Sequence, residues 1–281
     1  MNYIIRPISK NELRIPIEWA ATEGWNPGLY DAESFYAADP QGFFMGFLDD
    51  EPISSISAVA YDKNFGFIGL YIVKPEYRGS GYGWKLWSHA LQHLATQNIG
   101  LDGVLAQQEN YKKSGFQFAY SNIRFEGKGK SKTQQKNSHI IQLSKVPFDL
   151  LEKYDRQAFP ANRTQFLKLW IQQPESLAIG FIENNILKGY GMVRKCRTGF
   201  KVGPLFADNQ NIATQLFEHM REFVGKNESI FIDVPEVSPE AVALAEKLNM
   251  KPMFSTARMY TKKAPELPLS KIFGVTTFEL G

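Results

Sequence analysis

The spacing of apolar and polar residues predicts alternating strands and helices in the first half of the chain. Strands are predicted for NYIIRPI, GFFMGFLDD and EPISSISAVAYD. The nearly continuous apolar run GFIGLYIV at residues 66–73 predicts a strand buried on both faces. A helix follows in GWKLWSHALQHLA, and its apolar face holds Leu86, Trp87, Ala90, Leu91 and Leu94. This alternation is typical of an α/β domain with a mixed sheet.

The second half of the chain repeats the same order of elements. GFKVGPLFADNQNIATQLFEHMREFV predicts a strand, a turn and a long helix, as does the stretch that begins at residue 66. We therefore predict two domains of one architecture, at residues 1–146 and 147–281. HIIQL is predicted to pair back onto FQFAYSNIRF and to close the first domain. Between them, the lysine-rich residues 127–138 predict a mobile loop.

Composition and charge exclude several classes of protein. The chain is 43% hydrophobic and 22% charged, and its net charge of +3 is small for 281 residues, so no nucleic-acid surface is predicted. The start, MNYIIRPISKNEL, lacks the apolar core of a signal peptide, and no stretch reaches the roughly 20 apolar residues of a membrane helix. The single cysteine, Cys196, cannot form an internal disulfide and is expected to be unreactive. We expect a cytoplasmic protein that does not bind membranes.

Three glycines lie in the seven residues YRGSGYG, between the buried strand and the amphipathic helix. A tight turn needs only one of them. A dinucleotide fingerprint GxGxxG is matched by Gly79 and Gly81 but has Trp84 in its third place, and a GxxxxGK[ST] phosphate loop lacks its Lys-Ser or Lys-Thr. The pattern R-x-x-G-x-G, which begins at Arg78, fits best. Its backbone N–H groups at a helix N-terminus would bind a pyrophosphate.

This loop, with IVKPEYRG before it, resembles the acetyl-coenzyme A loop of the GNAT superfamily of N-acetyltransferases. NYKKSGF at residues 110–116 is similar to the family's short helix that ends in Tyr-x-x-x-Gly-Phe. The second half is similar to a degenerate acetyltransferase domain, in which VGPLFADNQN replaces the glycine loop and Ala245 replaces Tyr111. The resemblance implies tandem GNAT-like acyl-CoA N-acyltransferase folds. The first would be catalytic, and the second would not bind coenzyme A.

The resemblance also implies where acetyl-CoA binds and reacts. The pantetheine arm would pair with backbone groups of Tyr71, Ile72 and Val73, and the Ile72 N–H would polarise the thioester carbonyl. Tyr111 would give a proton to the leaving thiolate. The pyrophosphate site would comprise Arg78, Gly79, Ser80, Gly81, Tyr82, Gly83 and Trp84. Many relatives have an asparagine that contacts the pantetheine, and its candidates here are Gln107, Gln108 and Asn110.

The predicted acceptor is a primary amine of a small molecule or peptide. In GWNPG, Trp25 and Asn26 are candidate acceptor-site residues, with a Pro-Gly turn and a core tryptophan as the alternative. Three acids are candidate bases for the amine and also fit caps or surface positions: Glu23, Asp31 and Asp62. Two residues of the second half are candidate readers of carboxylate or phosphate, or else surface residues: Arg194 and Arg258.

The favoured function is transfer of an acetyl group from acetyl-CoA to the amine by direct attack in a ternary complex. One alternative is a non-catalytic acyl-CoA sensor, which would not need Tyr111. Another is a scaffold for a partner protein. No metal is predicted, since His89 and His93 share a helical face without a third ligand. The sequence is compatible with a monomer or a homodimer.

Overall fold

The computed structural model describes residues 2–132 and 137–281. Part of the predicted mobile loop, residues 133–136, therefore lies outside the described residues. The strands of the first half are β1 (Tyr3–Pro7), β2 (Phe43–Leu48), β3 (Glu51–Ala60), β4 (Phe65–Val73), β5 (Asn98–Val104) and β6 (Gln117–Lys128). Its helices are α1 (Arg14–Thr22), α2 (Asp31–Ala38), α3 (Tyr82–His93) and α4 (Gln108–Lys113).

The second half has the same alternation of strands and helices. Its strands are β7 (Ile140–Gln142), β8 (Ser176–Glu183), β9 (Ile186–Lys195), β10 (Phe200–Ala207), β11 (Ser229–Pro235), β12 (Lys251–Tyr260) and β13 (Ile272–Gly274). Its helices are α5 (Phe148–Ala158), α6 (Thr164–Trp170), α7 (Gln210–Val224) and α8 (Pro239–Lys247). Within the described residues, no helix is both long enough and apolar enough to cross a bilayer.

The long helix α3 packs its predicted apolar face onto the sheet. Leu86, Ala90 and Leu94 are fully buried, and Trp87 is nearly so. They join residues of the central strands in one hydrophobic cluster. In the second half, α7 begins at a side-chain cap, since the Asn209 Oδ1 accepts the Ile212 N–H at 3.0 Å.

The strands form one continuous sheet in which the two halves exchange neighbours. The order is β1-β2-β3-β4-β5-β12-β6-β11-β10-β9-β8-β7, with β13 against β10. Strand β12 of the second half therefore lies between β5 and β6 of the first. Strand β6 also pairs with β11. The hydrogen bonds of each half are thus completed by the other half.

The predicted pairing of HIIQL with FQFAYSNIRF is wrong. Strand β7 pairs with β8 instead, with Ile140 opposite Phe181. The physical reason is that both edges of β6 are already paired, with β11 on one side and β12 on the other. HIIQL therefore belongs to the edge of the second half of the sheet.

The sheet opens between β4 and β5. Their parallel pairing runs from Phe65 and Asn98 to Ile68 and Leu101. Beyond that point the two strands continue without pairing to each other and leave a V-shaped opening. A second opening of this kind starts between β10 and β11, whose parallel pairing stops at Val202.

The chain itself fills the second opening. Strand β13 pairs with β10, where Gly274 lies opposite Leu205. The next residue, Val275, donates its N–H to the Asp233 carbonyl of β11 at 2.9 Å. A side chain at Gly203 would lie 2.8 Å from the Val275 carbonyl oxygen and closer still to that of Thr276. The segment after β12 thus occupies the space between β10 and β11.

Candidate active site

A cavity of about 580 Å³ lies in the opening between β4 and β5. Both strand ends line it, together with the glycine loop, the start of α3, and α4. Four residues of the second half also line it: Phe254, Thr256, Phe278 and Glu279. Its volume is in the usual range of small-molecule sites.

Glycine is needed at the three positions of the loop for two different structural reasons. Gly79 and Gly81 have φ angles of +78° and +83°, a region that favours glycine, and nothing lies within 4 Å of where their side chains would be. Gly81 is the N-cap of α3. At Gly83 a side chain would lie 2.7 Å from the Tyr71 Oη. The loop thus leaves an uncovered helix N-terminus facing the cavity, which suits an anion.

Arg78 lies at the mouth of this loop. Its Nε donates to the Val73 carbonyl at 2.8 Å, which ties the loop to the end of β4. Its Nη2 contacts the Glu23 Oε1 at 2.5 Å. Both side chains line the cavity and are partly exposed. A phosphate at this position would compete with Glu23 for the guanidinium.

A bulge redirects the end of β4 into the opening. Leu70 has a φ of +45°, and the register between β3 and β4 shifts between Ser55 and Ser57. The Ser55 Oγ donates to the Leu70 carbonyl at 2.9 Å and holds the bulge. Such a bulge changes the direction in which the following backbone groups point. The backbone of residues 71–73 then forms one wall of the cavity.

Tyr111 projects from α4 into the same cavity. Its ring packs against Trp87, with the ring centroids 5.4 Å apart. A side chain at Gly103 would lie 2.8 Å from its Cδ2 and closer still to its Cε2. Burial raises the pKa of Tyr111 to about 12. The phenol therefore keeps its proton at neutral pH and can donate it.

The floor of the cavity comes from the second half of the chain. The backbone of Glu279 lies on Gly69 of β4, where a side chain would be 2.8 Å from the Glu279 carbonyl carbon. Glu279 is only 4% exposed, and its Oε2 has no hydrogen-bond partner among the residues that the structure describes. The same holds for the Oγ1 of Thr256 on β12. Two residues that line the cavity thus each have a buried polar atom without a hydrogen-bond partner, which needs an explanation.

Most of the residues predicted for the coenzyme line the cavity. They are Tyr71, Ile72, Val73, Arg78, Gly79, Gly81, Gly83, Trp84 and Tyr111. Ser80 and Tyr82 do not line it; the Tyr82 ring packs on Tyr3 with the centroids 4.8 Å apart. Of the candidates for the missing asparagine, Gln107 lines the cavity, and its Oε1 accepts from the Asn110 side chain at 2.7 Å.

Of the two candidate acceptor residues, only Trp25 lines the cavity, among the residues that the structure describes. Trp25 lines the cavity, and its carbonyl accepts hydrogen bonds from Arg124 at 2.8 Å and Lys201 at 3.3 Å. Asn26 turns away with a φ of +53°, and its side-chain amide makes two hydrogen bonds to the backbone of Thr198. The loop thus ties the first half of the chain to the second and holds Trp25 at the cavity.

The three acids predicted as bases are all engaged in other contacts. Asp31 is buried and pairs with Arg194 at 2.8 Å. The Asp62 Oδ1 accepts two backbone N–H groups of the turn before β4. Glu23 lines the cavity but pairs with Arg78 at its mouth.

The predictions for the two arginines of the second half are wrong in both forms. Arg194 and Arg258 are buried rather than on the surface, and each binds a carboxylate of the protein itself. Arg258 contacts Asp102 of β5 at 2.8 and 2.5 Å. Burial raises the pKa of Asp102, although the charge of Arg258 opposes this. These pairs hold the two halves together beside the cavity.

Other candidate groups have packing roles. Cys196 is fully buried, and burial raises the pKa of its thiol, which disfavours the reactive thiolate. His89 and His93 pack edge-on against Phe44, with centroid separations of 4.7 and 5.1 Å. Among the described residues, no cluster of three or more His, Cys, Asp or Glu side chains is arranged to hold a metal ion.

Sequence reasoning missed the residues of the cavity floor. Thr256 and Phe254 reach the cavity only because β12 inserts beside β5, a pairing that no local pattern announces. Glu279 carried one available signal, as the only acid in the otherwise uncharged stretch VTTFELG. An isolated acid in a buried segment is a candidate functional group.

Residues 12–116 match the acetyltransferase (GNAT) family, and residues 151–274 match a further acetyltransferase (GNAT) domain. The chain is also 31% identical over 276 residues to holothin acyltransferase of Pseudoalteromonas sp. (strain SANK 73390). That similarity covers 98% of this chain and 94% of the relative. The chain belongs to the GNAT family of acetyltransferases, with two GNAT domains in tandem, and it is an acyltransferase.

Solved structures agree with this fold. A proposed acetyltransferase from Pyrococcus horikoshii superposes with a TM-score of 0.83 at 21% identity, over 99% of this chain and 96% of that one. A tandem GNAT protein from the clavulanic acid biosynthesis pathway superposes with a TM-score of 0.63 at 12% identity, over 94% of this chain and all of that one. At these identities the likeness concerns the fold alone.

Proposed function

We propose that this protein is an N-acetyltransferase that transfers an acetyl group from acetyl-CoA to a primary amine of a small molecule or peptide. One observation supports this most directly. The cavity between β4 and β5 is continuous from the glycine loop at the start of α3 to the hydroxyl-bearing ring of Tyr111. An anion site and a proton donor at two parts of one cavity are what transfer from a coenzyme A thioester requires.

Different residues of the chain bind the coenzyme, orient it and supply the proton. The N–H groups of the loop from Gly79 to Trp84 hold the pyrophosphate, and Arg78 adds its charge. The backbone of residues 71–73 orients the pantetheine arm and supplies the N–H that donates to the thioester carbonyl. The sequence prediction gave this role to Ile72, but Ile72 lies opposite Ser55 in a hydrogen-bonded pair, so its own N–H points towards β3. A preorganised donor of this kind is worth about 2.7–4 kcal/mol in other acyl transfers. Tyr111 gives its proton to the departing sulfur.

In this proposal the two predicted domains, residues 1–146 and 147–281, have different roles, although β7 (Ile140–Gln142) pairs with the strands of the second domain. Residues 1–146 carry the donor site and the acid. Residues 147–281 keep no open donor site, since β13 lies where a second coenzyme would bind. The similarity to holothin acyltransferase supports the proposal that this chain also transfers an acyl group to an acceptor.

Calorimetric titration of acetyl-CoA tests the proposal with two matched variants. Gly81 and Gly225 both have a φ of +83°, and at both positions nothing lies within 4 Å of where a Cβ would be. Glutamate strains the backbone at each, and more so at Gly225, whose ψ is 150° against −8° at Gly81. Gly225 follows α7, far from the loop in the chain. We expect Gly81→Glu to abolish binding and Gly225→Glu to retain it. Equal affinities for the two variants, or no binding to the wild type, would overturn the proposal.

A further inference from the structure

The floor of the cavity carries a carboxylate that the proposed reaction does not yet use. Glu279 lines the cavity and is 4% exposed, and its Oε2 has no hydrogen-bond partner within the described residues. Thr256 also lines the cavity and is 3% exposed, and its Oγ1 likewise has no hydrogen-bond partner within the described residues. Unpaired buried polar atoms are rare in native proteins and need an explanation. A ligand with hydrogen-bond donors would satisfy both atoms.

Glu279 is the counter-charge of one buried cation, Lys201. Three buried cations interact electrostatically with Glu279: Arg124, Arg194 and Lys201. Arg124 is already paired with Asp233 at 2.6 Å, and Arg194 with Asp31 at 2.8 Å. Lys201 donates to the Trp25 carbonyl at 3.3 Å, and no ion pair to it is found in the described part of the chain. The nearby Cys196 thiol is neutral, because burial raises its pKa.

Three aromatic residues line the same cavity as Glu279: Trp25, Phe254 and Phe278. Phe254 and Phe278 lie with their centroids 6.0 Å apart, and the Arg124 guanidinium lies over both rings at 4.7 and 5.0 Å. Arg124 also binds the Trp25 carbonyl, so one cation fixes three aromatic residues that line the cavity. Fixed aromatic walls with a few polar groups select a flat apolar ligand.

From this arrangement we infer that Glu279 binds the ammonium group of the acceptor and is the general base of the reaction, and that the acceptor is a primary amine carried on an aromatic body. This rests on the proposed function above. The aromatic body lies between Trp25, Phe254 and Phe278. The nitrogen lies at Glu279, with Thr256 as a second partner.

The reaction then balances without any further reactant. Glu279 takes one proton from the ammonium and leaves a neutral amine. The nitrogen lone pair bonds to the acyl carbon, and the carbon–sulfur bond breaks with its electron pair on sulfur. Tyr111 gives its proton to that sulfur and regains one from the nitrogen. The products are an amide and free coenzyme A, and Glu279 releases its proton to solvent.

Two amine probes separate a general base from a merely structural role. Benzylamine is a cation at neutral pH and needs a base, whereas aniline is already neutral. We expect Glu279→Gln to lower kcat/KM for benzylamine by about 100-fold or more, as loss of a general base does, and to leave aniline close to wild type. The deficit with benzylamine narrows at higher pH, where solvent supplies the free amine. Release of free thiol measures both rates.

Control variants keep the outcome decisive. Glu279→Gln leaves Lys201 without a balancing charge, so Glu279→Gln/Lys201→Met removes both charges and should show the same selective loss. Glu266→Gln, at an exposed ion pair, should behave as wild type. Equal losses for both amines, no loss for either, or a wild type that binds acetyl-CoA but acetylates neither amine would overturn the inference. A wild type that does not bind acetyl-CoA would instead overturn the proposed function.

Discussion

The ring of Tyr111 lies against the backbone of Gly103, in the space that a side chain at that position would fill. Strand β5 thus determines where the ring of Tyr111, the proposed proton donor on α4, can lie. A methyl group at Gly103 would lie 2.8 Å from the Tyr111 Cδ2 and closer still to its Cε2, so the ring must move. The position of a general acid matters as much as its pKa.

Gly103→Ala is therefore expected to lower kcat by displacing the Tyr111 hydroxyl, while acetyl-CoA affinity stays close to wild type. Tyr111→Phe keeps the ring and removes the proton, and we expect a loss of about 100- to 10,000-fold. In the double variant the two losses should not add, because both act through the same hydroxyl. Additive losses in steady-state kinetics would show that Gly103 acts in another way.

The ion pair between Arg78 and Glu23 should weaken coenzyme binding. The guanidinium must leave Glu23 to reach a phosphate, so Glu23→Gln is expected to tighten acetyl-CoA binding. An exposed pair is worth up to about 1 kcal/mol, which corresponds to a gain of up to about fivefold. Glu76→Gln removes an equal charge two residues before Arg78 and should change acetyl-CoA affinity little. The difference between the two variants in calorimetry at low salt carries the test, and identical affinities would contradict it.

Buried tyrosines should make the fold sensitive to alkali. Burial raises the pKa of Tyr71 and Tyr111 to about 12, and it also raises that of Tyr61, Tyr120 and Tyr154. The neutral phenols are favoured in the folded state, so their contribution is complete below the unfolded value of 10.0 and is lost as the pH rises towards the folded values.

Urea unfolding measured from neutral pH upwards checks this expectation. The contribution of the buried tyrosines to the free energy of unfolding should stay level to about pH 10 and then fall, because the unfolded chain loses its phenol protons at lower pH than the folded chain. Tyr71→Phe should make the fall shallower by one proton. A decline that begins near neutral pH and does not change in Tyr71→Phe would point to other groups.

Exchange of strands should make the two halves unfold together. Ala257 lies in the middle of β12, opposite both Gly103 of β5 and Ser121 of β6, and a proline there would remove a ladder hydrogen bond from this central strand. We expect Ala257→Pro to remove hydrogen-exchange protection from β4, β5 and β6 as well as from β11. Ile141→Pro, on edge strand β7, should affect only β7 and β8. Protection lost in the second half alone would contradict this coupling.

The strand, loop and helix on one side of the cavity were predictable because their signals are local. Strand β4, the glycine loop and α3 follow one another in the chain, and their apolar run, glycine spacing and apolar stripe are written in about 30 consecutive residues. Tyr111 came from a short motif and not from geometry. Arg78, Gly81 and Tyr111 all line the cavity, and their roles in binding and catalysis stay predictions.

The cavity floor was not predictable because its contacts join residues that are distant in the chain. The backbone of Glu279 contacts Gly69, about 210 residues earlier in the chain. Thr256 of β12 lies opposite Val104 of β5. The wrong partner for HIIQL has the same cause, since nearby strands usually pair and an intruding strand leaves no local pattern. Asp31 looked like a cap and a candidate base, whereas its true partner, Arg194, lies in the other half.

The place of β12 in the sheet has a consequence for biosynthesis. Strand β5 ends at Val104, and its neighbour β12 begins only at Lys251. At about 5–20 residues per second, the ribosome needs roughly 7 to 30 s to make the residues between them. During that time the nascent chain holds an open, apolar strand edge at the centre of its future sheet. Such an edge invites pairing with other chains, so this is the stage of synthesis at which a chaperone would protect the protein most.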